Sequence, residues 1–377
     1  MKARILIFSI AYEPLVGGAE LAVRYITDRL PENTFDLITC RFGRQHRPQE
    51  KIGNVMVYRV GFGSRLGRYL YPALAARLAL KLHRQRPYQL VWSIMAAYAG
   101  AAALLFLRRA PQTKFLLTLQ EGDSPEHIRR RVTGFRKQWQ QLFKRADHIQ
   151  AISQFLARWA SEEGATCPIE IVPNGVDLRK YNAKNAKLNA NDANPSHFII
   201  ITTSRLVPKN GVDILIKAAA ELKKLLPATS YQLLILGVGP EEEKLKKLVK
   251  ALGLEGEVQF LGLVSADELP QFLARADIFV RPSRSEGLGT AFLEAMALGL
   301  PVVGTPVGGI VDFLKDGETG LFCQPEDPRA LAEKIKFLMH KPDLRKSLGE
   351  NGQRLVREKY DWDKIAAQMQ EIFIKLA

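Results

Sequence analysis

The sequence has little cysteine and no clustered metal-binding side chains. Its three cysteines, Cys40, Cys167 and Cys323, lie far apart and form no CxxC pair. The six histidines are also scattered, and none of them makes an HxxxH or HExxH motif. These absences argue against a disulfide framework and against a cysteine or histidine metal site, and they favour a reducing compartment.

The chain also lacks a secretory leader pattern and a clear membrane span. Residues 2–10 are apolar, but the run is short and no cleavage-like site follows it. One uncharged run, Leu90–Leu107, has 18 residues, which is near the lower limit for a helix that crosses a bilayer. Its alanine-rich second half instead favours a buried strand at Leu90–Ile94, a turn and a helix. We therefore expect a cytoplasmic protein.

Acidic residues are scarce in the first half of the chain. Residues 1–180 contain 28 Lys and Arg against 14 Asp and Glu, whereas residues 181–377 contain 26 against 25. Such segregation indicates that the first half faces an anionic partner. The candidates are a membrane surface, a phosphorylated lipid acceptor, an acidic glycan or a nucleic acid. The alternative is that the excess of positive charge only aids solubility.

Short apolar runs alternate with helical segments along most of the 377 residues. This alternation predicts parallel sheets covered by helices on both faces. The length exceeds that of one ordinary domain, so we expect two tandem doubly wound Rossmann-like domains, residues 1–180 and 181–360. The polar stretch Tyr181–Ser196 is interpreted as a linker or a surface excursion. Ligands of such sheets lie outside the carboxyl ends of the strands, so the two domains are expected to face each other across a cleft.

Two carboxylates, Glu286 and Glu294, flank a glycine-rich turn in the stretch SEGLGTAFLEA. The turn begins a helix, so the amides near Gly289 and Thr290 lie at a helix N-terminus, where about half a positive charge collects. These amides suit a phosphate, and each carboxylate can accept hydrogen bonds from hydroxyl groups. The pattern predicts a ligand that carries phosphate between two polyhydroxy groups, such as a nucleotide-diphosphate sugar.

Two further loops follow strands and carry candidate ligand contacts. Arg205 and Lys209 come after the first strand of the second half, and a guanidinium fork beside a point charge suits a diphosphate. Gly17 and Gly18 follow the first strand of the chain and open a helix. This glycine pair either lets the backbone approach a ligand or makes a tight turn.

Other segments can each be interpreted in a functional or in a structural way. Gly237–Gly239 either admits a nucleotide or forms a turn, and Leu261–Val264 either makes an apolar wall for a base or packs as an ordinary strand end. The basic segment His127–Arg145 has apolar residues at helical spacing, which suit either an anionic membrane or the core. Asp361–Asp363 matches a DxD metal motif, but its position favours helix capping by Asp361 and packing by Trp362.

Together these residues resemble the family 4 glycosyltransferases, which have the GT-B fold. Pro282–Phe322 follows the family pattern almost without a gap. Pro173–Asp177 is similar to the interdomain motif of the family, and Gly17–Glu20 is similar to its N-terminal loop. The resemblance covers almost the whole chain and implies that a terminal helix, residues 361–377, crosses back onto the first domain.

The resemblance also implies roles for individual residues. Arg205 and Lys209 would neutralise the leaving diphosphate, Glu286 would hold the donor sugar, and Glu294 would hold the ribose hydroxyls. The remaining donor contacts implied in this way are Val264 against the base and the turn residues Gly287, Leu288, Gly289 and Thr290 against phosphate or sugar oxygens.

Two positions depart from the family pattern. Many members have a lysine directly before the glycine at 211, where this chain has Asn210 and carries its lysine one residue earlier. Many members also have a histidine where this chain has Gln120. A glutamine can hydrogen-bond a sugar hydroxyl, but it cannot carry a proton.

The resemblance implies a retaining, metal-independent glycosyltransferase without a cofactor. It would move a sugar from a UDP- or GDP-linked donor to a glycan or lipid-linked acceptor in cell-envelope polysaccharide or glycolipid biosynthesis. We expect it in the cytoplasm, with possible peripheral attachment to an anionic inner membrane face, and without a nucleic-acid partner. The alternatives are a non-catalytic sugar- or nucleotide-binding protein and a nucleotide-sugar epimerase on the same fold.

Overall fold

A computed structural model describes residues 3–15, 17–64, 67–182, 197–227 and 230–377. The chain divides into two compact units, Met1–Asn174 with Trp362–Ala377, and Gly175–Asp361. Within the second unit, the amide of Val176 donates to the carbonyl of Tyr360 over 2.6 Å. Most of the predicted linker at 181–196 lies outside the described residues.

The first unit alternates strands and helices. In chain order its elements are β1 Arg4–Phe8, α1 Gly18–Asp28, β2 Thr34–Cys40, β3 Gln49–Ile52, β4 Val55–Val60, α2 Gly67–Gln85, β5 Leu90–Ile94, α3 Tyr98–Leu107, β6 Lys114–Leu119, α4 Pro125–Arg131, α5 Arg136–Arg145, β7 His148–Ala151, α6 Gln154–Glu162, β8 Ile169–Ile171 and, at the end of the chain, α14 Trp362–Leu376.

The described strands of the first unit form one sheet in the order β3-β4-β2-β1-β5-β6-β7-β8. All neighbouring pairs are parallel except β3 with β4. The strand order reverses between β1 and β5, so the loops after these strands diverge at the carboxyl edge. Ligands of doubly wound sheets bind at such a switch point.

The last helix, α14, belongs to the core of the first unit. Trp362 stacks on Tyr25 of α1 with ring centroids 5.2 Å apart, and Phe373 contacts Trp92 of β5 at 5.2 Å. Both α14 residues are buried in a cluster that also contains β1, β2 and α1 side chains. The helix therefore covers the same face of the sheet as α1.

Helix α5 resolves the alternative that the basic segment left open. Trp139, Leu142 and Phe143 of its apolar stripe are buried, and Trp139 and Phe143 pack against Trp159 of α6. The stripe therefore faces the core, and the membrane interpretation of these three residues is wrong. Phe135, just before the helix, is 69% exposed.

The second unit repeats the alternation. Its elements are β9 Phe198–Thr203, α7 Val212–Leu225, β10 Tyr231–Leu236, α8 Glu242–Ala251, β11 Val258–Gly262, α9 Leu269–Ala274, β12 Ile278–Arg281, α10 Thr290–Ala297, β13 Val302–Gly304, α11 Ile310–Phe313, β14 Leu321–Phe322, α12 Pro328–Met339 and α13 Pro342–Lys359.

The described strands of the second unit form a parallel sheet in the order β11-β10-β9-β12-β13-β14. Its switch point lies between β9 and β12, which are neighbours although two strands and three helices separate them in the chain. The loop with Arg205 follows β9 and the loop with Glu286 follows β12. The topology thus brings the two most specific sequence signals to one edge of the sheet.

The sequence-based prediction of two Rossmann-like α/β domains is confirmed. The uncharged run divides into β5 and α3 as expected, and within the described residues no helix is long and apolar enough to cross a bilayer. Four short elements were missed: β3, α4, α11 and β14. Each has seven residues or fewer, so its periodicity carries little signal.

Candidate active site

The loops of the second unit pack tightly against one another at the switch point. Gly308, after β13, has a φ of 56°, and a Cβ on it would lie 1.7 Å from the carbonyl oxygen of Glu286. Gly237, after β10, has a φ of 127°, and a Cβ there would lie 1.9 Å from the carbonyl oxygen of Ser204. Both glycines are therefore required where two loops touch. At Gly237 this favours the turn alternative over contact with a nucleotide.

Glu286 is held by a buried arginine that the sequence analysis did not single out. Arg281 is the last residue of β12 and only 6% exposed, and its Nη2 donates to Oε2 of Glu286. Its Nη1 donates to the carbonyl oxygen of Thr203, at the end of β9, over 3.3 Å. The guanidinium therefore joins both strands of the switch point and fixes one oxygen of the Glu286 carboxylate.

Glu294 lies on α10, one turn after its start. Burial raises the pKa of its carboxyl to about 7, although a hydrogen bond from Tyr181 and the positive charge of Arg281 act in the opposite direction. Tyr181 is itself buried. The two carboxylates of the sequence motif therefore share the influence of one guanidinium, and Glu294 titrates near neutral pH.

The turn before α10 presents backbone to the same edge. Gly287, Leu288 and Gly289 are buried and Thr290 is half-buried. Gly289 is the N-cap of α10, and no side chain caps this helix among the described residues. No capping side chain therefore occupies the amides at the start of the helix, where the sequence motif predicts an anion.

The β9 loop carries the two predicted cations. Arg205 is exposed, and Lys209 is half-buried with its carbonyl accepting from the amide of Arg284 over 2.7 Å. Asn210, which departs from the family pattern, is buried, and its Nδ2 donates to the carbonyl oxygen of Arg205 over 2.6 Å. Asn210 thus shapes the loop from inside. Val264, two residues beyond β11, is half-buried and lies two strands away from β9.

The first unit has its own set of loops at its switch point. Gly17 and Gly18 are exposed at the start of α1, where the carboxylate of Glu20 accepts from the amide of Gly17 over 2.8 Å. A Cβ on Gly18 would meet nothing within 4 Å, so this glycine is not required by packing. The space above it suits the alternative in which the backbone approaches a ligand.

Gln120 and Glu121 follow β6 in the same unit. Gln120 is buried and its side-chain oxygen accepts from Asn174 over 3.1 Å, which links it to the Pro173–Asp177 motif. Glu121 accepts from the amides of Ala96 over 2.7 Å and of Gln120 over 2.9 Å, and burial raises the pKa of its carboxyl to about 7. Sequence reasoning missed Glu121, although a carboxylate directly after a buried strand is a detectable signal.

Glu121 also fixes a strained segment of backbone. Met95, which precedes Ala96, has a φ of 69°, an uncommon value for a residue with a side chain. The amide of Met95 donates to the carbonyl of Thr118 over 2.9 Å, and its carbonyl accepts from Ser93 Oγ over 3.1 Å. Strain of this kind persists only where surrounding contacts hold it, and it occurs often at functional sites.

The Asp361–Asp363 segment is part of the packing of the first turn of α14. Asp363 accepts from Nε of Arg29 over 2.6 Å, and Trp362 is buried. In the described part of the chain no group of three or more His, Cys, Asp and Glu side chains is arranged to hold a metal ion.

Comparison with known proteins identifies the class. The family model "Glycosyl transferases group 1" matches residues 183–355, and the model "Glycosyltransferase Family 4" matches residues 16–180. The chain is 27% identical over 366 residues to the uncharacterized glycosyltransferase MJ1178 of Methanocaldococcus jannaschii, covering 97% of each chain.

Two further relatives carry more specific descriptions. A GDP-mannose-dependent alpha-(1-6)-phosphatidylinositol monomannoside mannosyltransferase of Mycolicibacterium smegmatis is 32% identical over 238 residues, which are 60% of this chain and 62% of the relative. The crystal structure of HepE from Anabaena in complex with UDP matches with a TM-score of 0.79 at 25% identity and covers 100% of both chains. The chain belongs to the family 4 glycosyltransferases and has the GT-B fold.

Proposed function

We propose that this glycosyltransferase is a retaining enzyme that uses a nucleotide-diphosphate sugar and requires neither a metal ion nor a cofactor. One observation carries the proposal. Arg205, Glu286 and the N-terminus of α10 converge at the switch point of the second unit, where a doubly wound sheet binds its ligand. The site therefore combines donors for a diphosphate with carboxylate acceptors for hydroxyl groups.

The main chemical demand is to stabilise charge that grows on the leaving diphosphate. Arg205 and Lys209 supply formal positive charge, and the N-terminus of α10, which no side chain of the described residues caps, adds the positive end of the helix dipole. Aimed at the phosphate oxygens, these groups would do the work that a divalent cation does in other transferases. This is the physical reason for proposing a metal-independent reaction.

The carboxylates are proposed to hold the sugars of the donor. One oxygen of Glu286 is occupied by Arg281, which leaves the other to accept from hydroxyls of the transferred sugar. Glu294 would accept from the ribose hydroxyls, and Val264 would line the base. For a retaining outcome, the acceptor would attack on the face from which the diphosphate departs, with no covalent intermediate on the protein.

The first unit is proposed to hold the acceptor, with Gly17, Gly18 and Gln120 at its switch point. The positive charge of the first half suits an acceptor that carries phosphate or uronate groups. The description of the Mycolicibacterium relative names GDP-mannose and phosphatidylinositol monomannoside, and the HepE structure contains the nucleotide UDP. We therefore propose a UDP- or GDP-linked donor and a glycan or lipid-linked acceptor of the cell envelope.

Peripheral attachment to an anionic membrane face is proposed from exposed side chains of the first unit. Phe62 after β4, Tyr69 and Leu70 at the start of α2, and Phe135 before α5 are between 52% and 69% exposed. All four lie on the carboxyl side of the sheet, and the exposed Arg68 and Arg136 are their neighbours in the chain. Aromatic side chains beside arginine suit the interface of an anionic bilayer on the cytoplasmic side.

Donor turnover tests the catalytic proposal. Release of UDP from UDP-glucose and of GDP from GDP-mannose is measured with and without candidate acceptors. We expect Glu286→Ala and Arg205→Ala each to lower turnover at least a hundredfold, which is about the loss expected when one group that stabilises the transition state is removed. Glu333→Ala and Lys247→Ala, exposed on α12 and α8, are the matched controls and should retain turnover. Near-normal turnover of both site variants in folded protein would overturn the assignment.

Two further measurements address the finer parts of the proposal. EDTA should leave turnover unchanged, and loss of turnover that Mg²⁺ or Mn²⁺ restores would contradict metal independence. The anomeric configuration of the product, read by NMR, should match that of the donor.

Cosedimentation tests the membrane proposal. Vesicles that contain phosphatidylglycerol should bind the protein at low salt and release it as salt rises, whereas phosphatidylcholine vesicles should not bind. Absence of binding to both at low salt would exclude the membrane surface.

A further inference from the structure

Arg281 is a buried charged group at the switch point of the second unit. Its three sets of contacts come from different elements: Glu286 after β12, the carbonyl of Thr203 at the end of β9, and the ring of Phe292 on α10, which lies 5.1 Å from the guanidinium carbon. A buried guanidinium is tolerated only when it is paired and hydrogen-bonded. The side chain is therefore fixed from three directions.

The pairing of Arg281 is nevertheless incomplete. Its Nε is buried and has no hydrogen-bond partner among the described residues, and the same holds for the hydroxyl of Ser283 two residues later. A purely structural arginine in a finished core is expected to have its buried donors satisfied. The incomplete pairing favours a role in the site over a role in packing.

We propose that Arg281 is a positioning residue for the donor: it holds the Glu286 carboxylate so that one oxygen of this carboxylate is turned to the transferred sugar. This inference rests on the proposed donor site. It goes beyond that site because it assigns the orientation of the Glu286 carboxylate to a residue that need not touch the donor.

The shape of the guanidinium is tested with Arg281→Lys, which retains the charge. A lysine has a single ammonium and cannot donate to Glu286 and Thr203 in the fixed geometry of a guanidinium. We expect calorimetry to show about tenfold weaker binding of the nucleotide sugar, because one charge-assisted hydrogen bond is lost. Binding of the parent diphosphate should weaken by less than about threefold, because Glu286 is proposed to face the sugar. The probes are UDP-glucose with UDP and GDP-mannose with GDP.

A double-variant cycle tests whether Arg281 acts through Glu286. In a Glu286→Gln background, Arg281→Lys should weaken nucleotide-sugar binding by less than about threefold, because the partner is already altered. Equal losses in both backgrounds would mean that Arg281 acts independently of Glu286, and they would overturn the proposal.

A control variant keeps the outcomes distinct. Arg345→Gln removes another arginine of the same unit, which donates to the carbonyl of Met339 over 2.9 Å and covers Phe198 at the start of β9. It should lower the melting temperature without changing the ratio of nucleotide-sugar affinity to diphosphate affinity. A change of this ratio in Arg345→Gln as large as that in Arg281→Lys would overturn the assignment to Arg281.

Failure of the inference is separable from failure of the proposed function. If neither nucleotide sugar binds the unchanged protein, the donor site itself is wrong. If one binds and Arg281→Lys weakens binding of the nucleotide sugar and of the diphosphate equally, Arg281 only supports the fold.

Discussion

Two buried carboxyl groups stand out at the residue scale, because burial raises the pKa of both to about 7. Glu121 lies in the first unit and Glu294 in the second. A carboxyl that is harder to ionise in the folded chain makes the protein less stable at pH values above its pKa. Groups whose pKa is displaced in this way are concentrated at functional sites.

The stability of the protein should therefore depend on pH through Glu121. Its pKa rises from 4.5 to about 7 on folding, so the stability present below pH 4.5 is lost as pH rises through 7. Between pH 5.5 and 8 the loss for this group amounts to about 2 kcal/mol. We expect the stability of Glu121→Gln, relative to that of the unchanged chain, to be higher at pH 8 than at pH 5.5 by about the same amount. Urea unfolding at both pH values is the measurement. Parallel profiles for the two proteins would contradict this.

Gly308 provides a second prediction at this scale. A Cβ at this position would meet the backbone of Glu286, so Gly308→Ala should shift the Glu286 loop and weaken binding of UDP-glucose or GDP-mannose at least tenfold. Gly253 is a matched control, since it also has a positive φ, of 62°, but a Cβ there would meet nothing within 4 Å. Gly253→Ala should cost about 1 kcal/mol of stability and leave binding unchanged. Equal binding by both variants would argue against the loop contact.

At the scale of elements, the last helix stands out because it is distant in sequence from the unit that it completes. Helix α14 follows the whole second unit, yet Trp362, Met369 and Phe373 are buried in the first. The fold of the first unit therefore depends on the last residues of the chain.

Truncation of the tryptophan measures this dependence. Trp362→Ala should destabilise the first unit by about 3–5 kcal/mol, the usual cost of removing a large buried aromatic side chain. Gln368→Ala, on the exposed side of the same helix, should change stability by less than about 0.5 kcal/mol. Hydrogen exchange of β1 and β5 is the measurement, and exchange rates that do not differ between the two variants would contradict the prediction.

At the scale of the whole molecule, the two units have separate cores and separate switch points. A nucleotide that binds only the second unit should protect that unit selectively. At a concentration of 100 times Kd it adds about 2.7 kcal/mol of stability to the unit that binds it. We expect UDP or GDP to slow hydrogen exchange in residues 204–211, 282–290 and 305–309. Protection confined to the first unit would contradict the assignment of the donor site.

Much of this arrangement was predictable from the sequence. Most strands are short apolar runs bounded by turn residues, so these strands and the parallel sheets that they form follow from local patterns, whereas β3 and β14 are too short to give such a pattern. The phosphate-binding turn also has a local signature, because Glu286, Gly289 and Glu294 lie within nine consecutive residues. What these motifs share is that the residues involved are close together in the chain.

Only the tertiary structure decided which side chains act together across the sheet. Arg281 ends an ordinary strand in the sequence, and its role depends on β12 lying beside β9, which places Thr203 within reach. The contact of Glu121 with the amide of Ala96 likewise joins residues that are distant in the chain. The basic helix α5 is a further case, because only the packed structure shows that its apolar stripe is buried in the core. Local sequence determines which elements form, because propensity and periodicity act over a few residues. Strand order, burial and pKa depend on neighbours that are distant in the chain, and they are decided only when the sheet assembles.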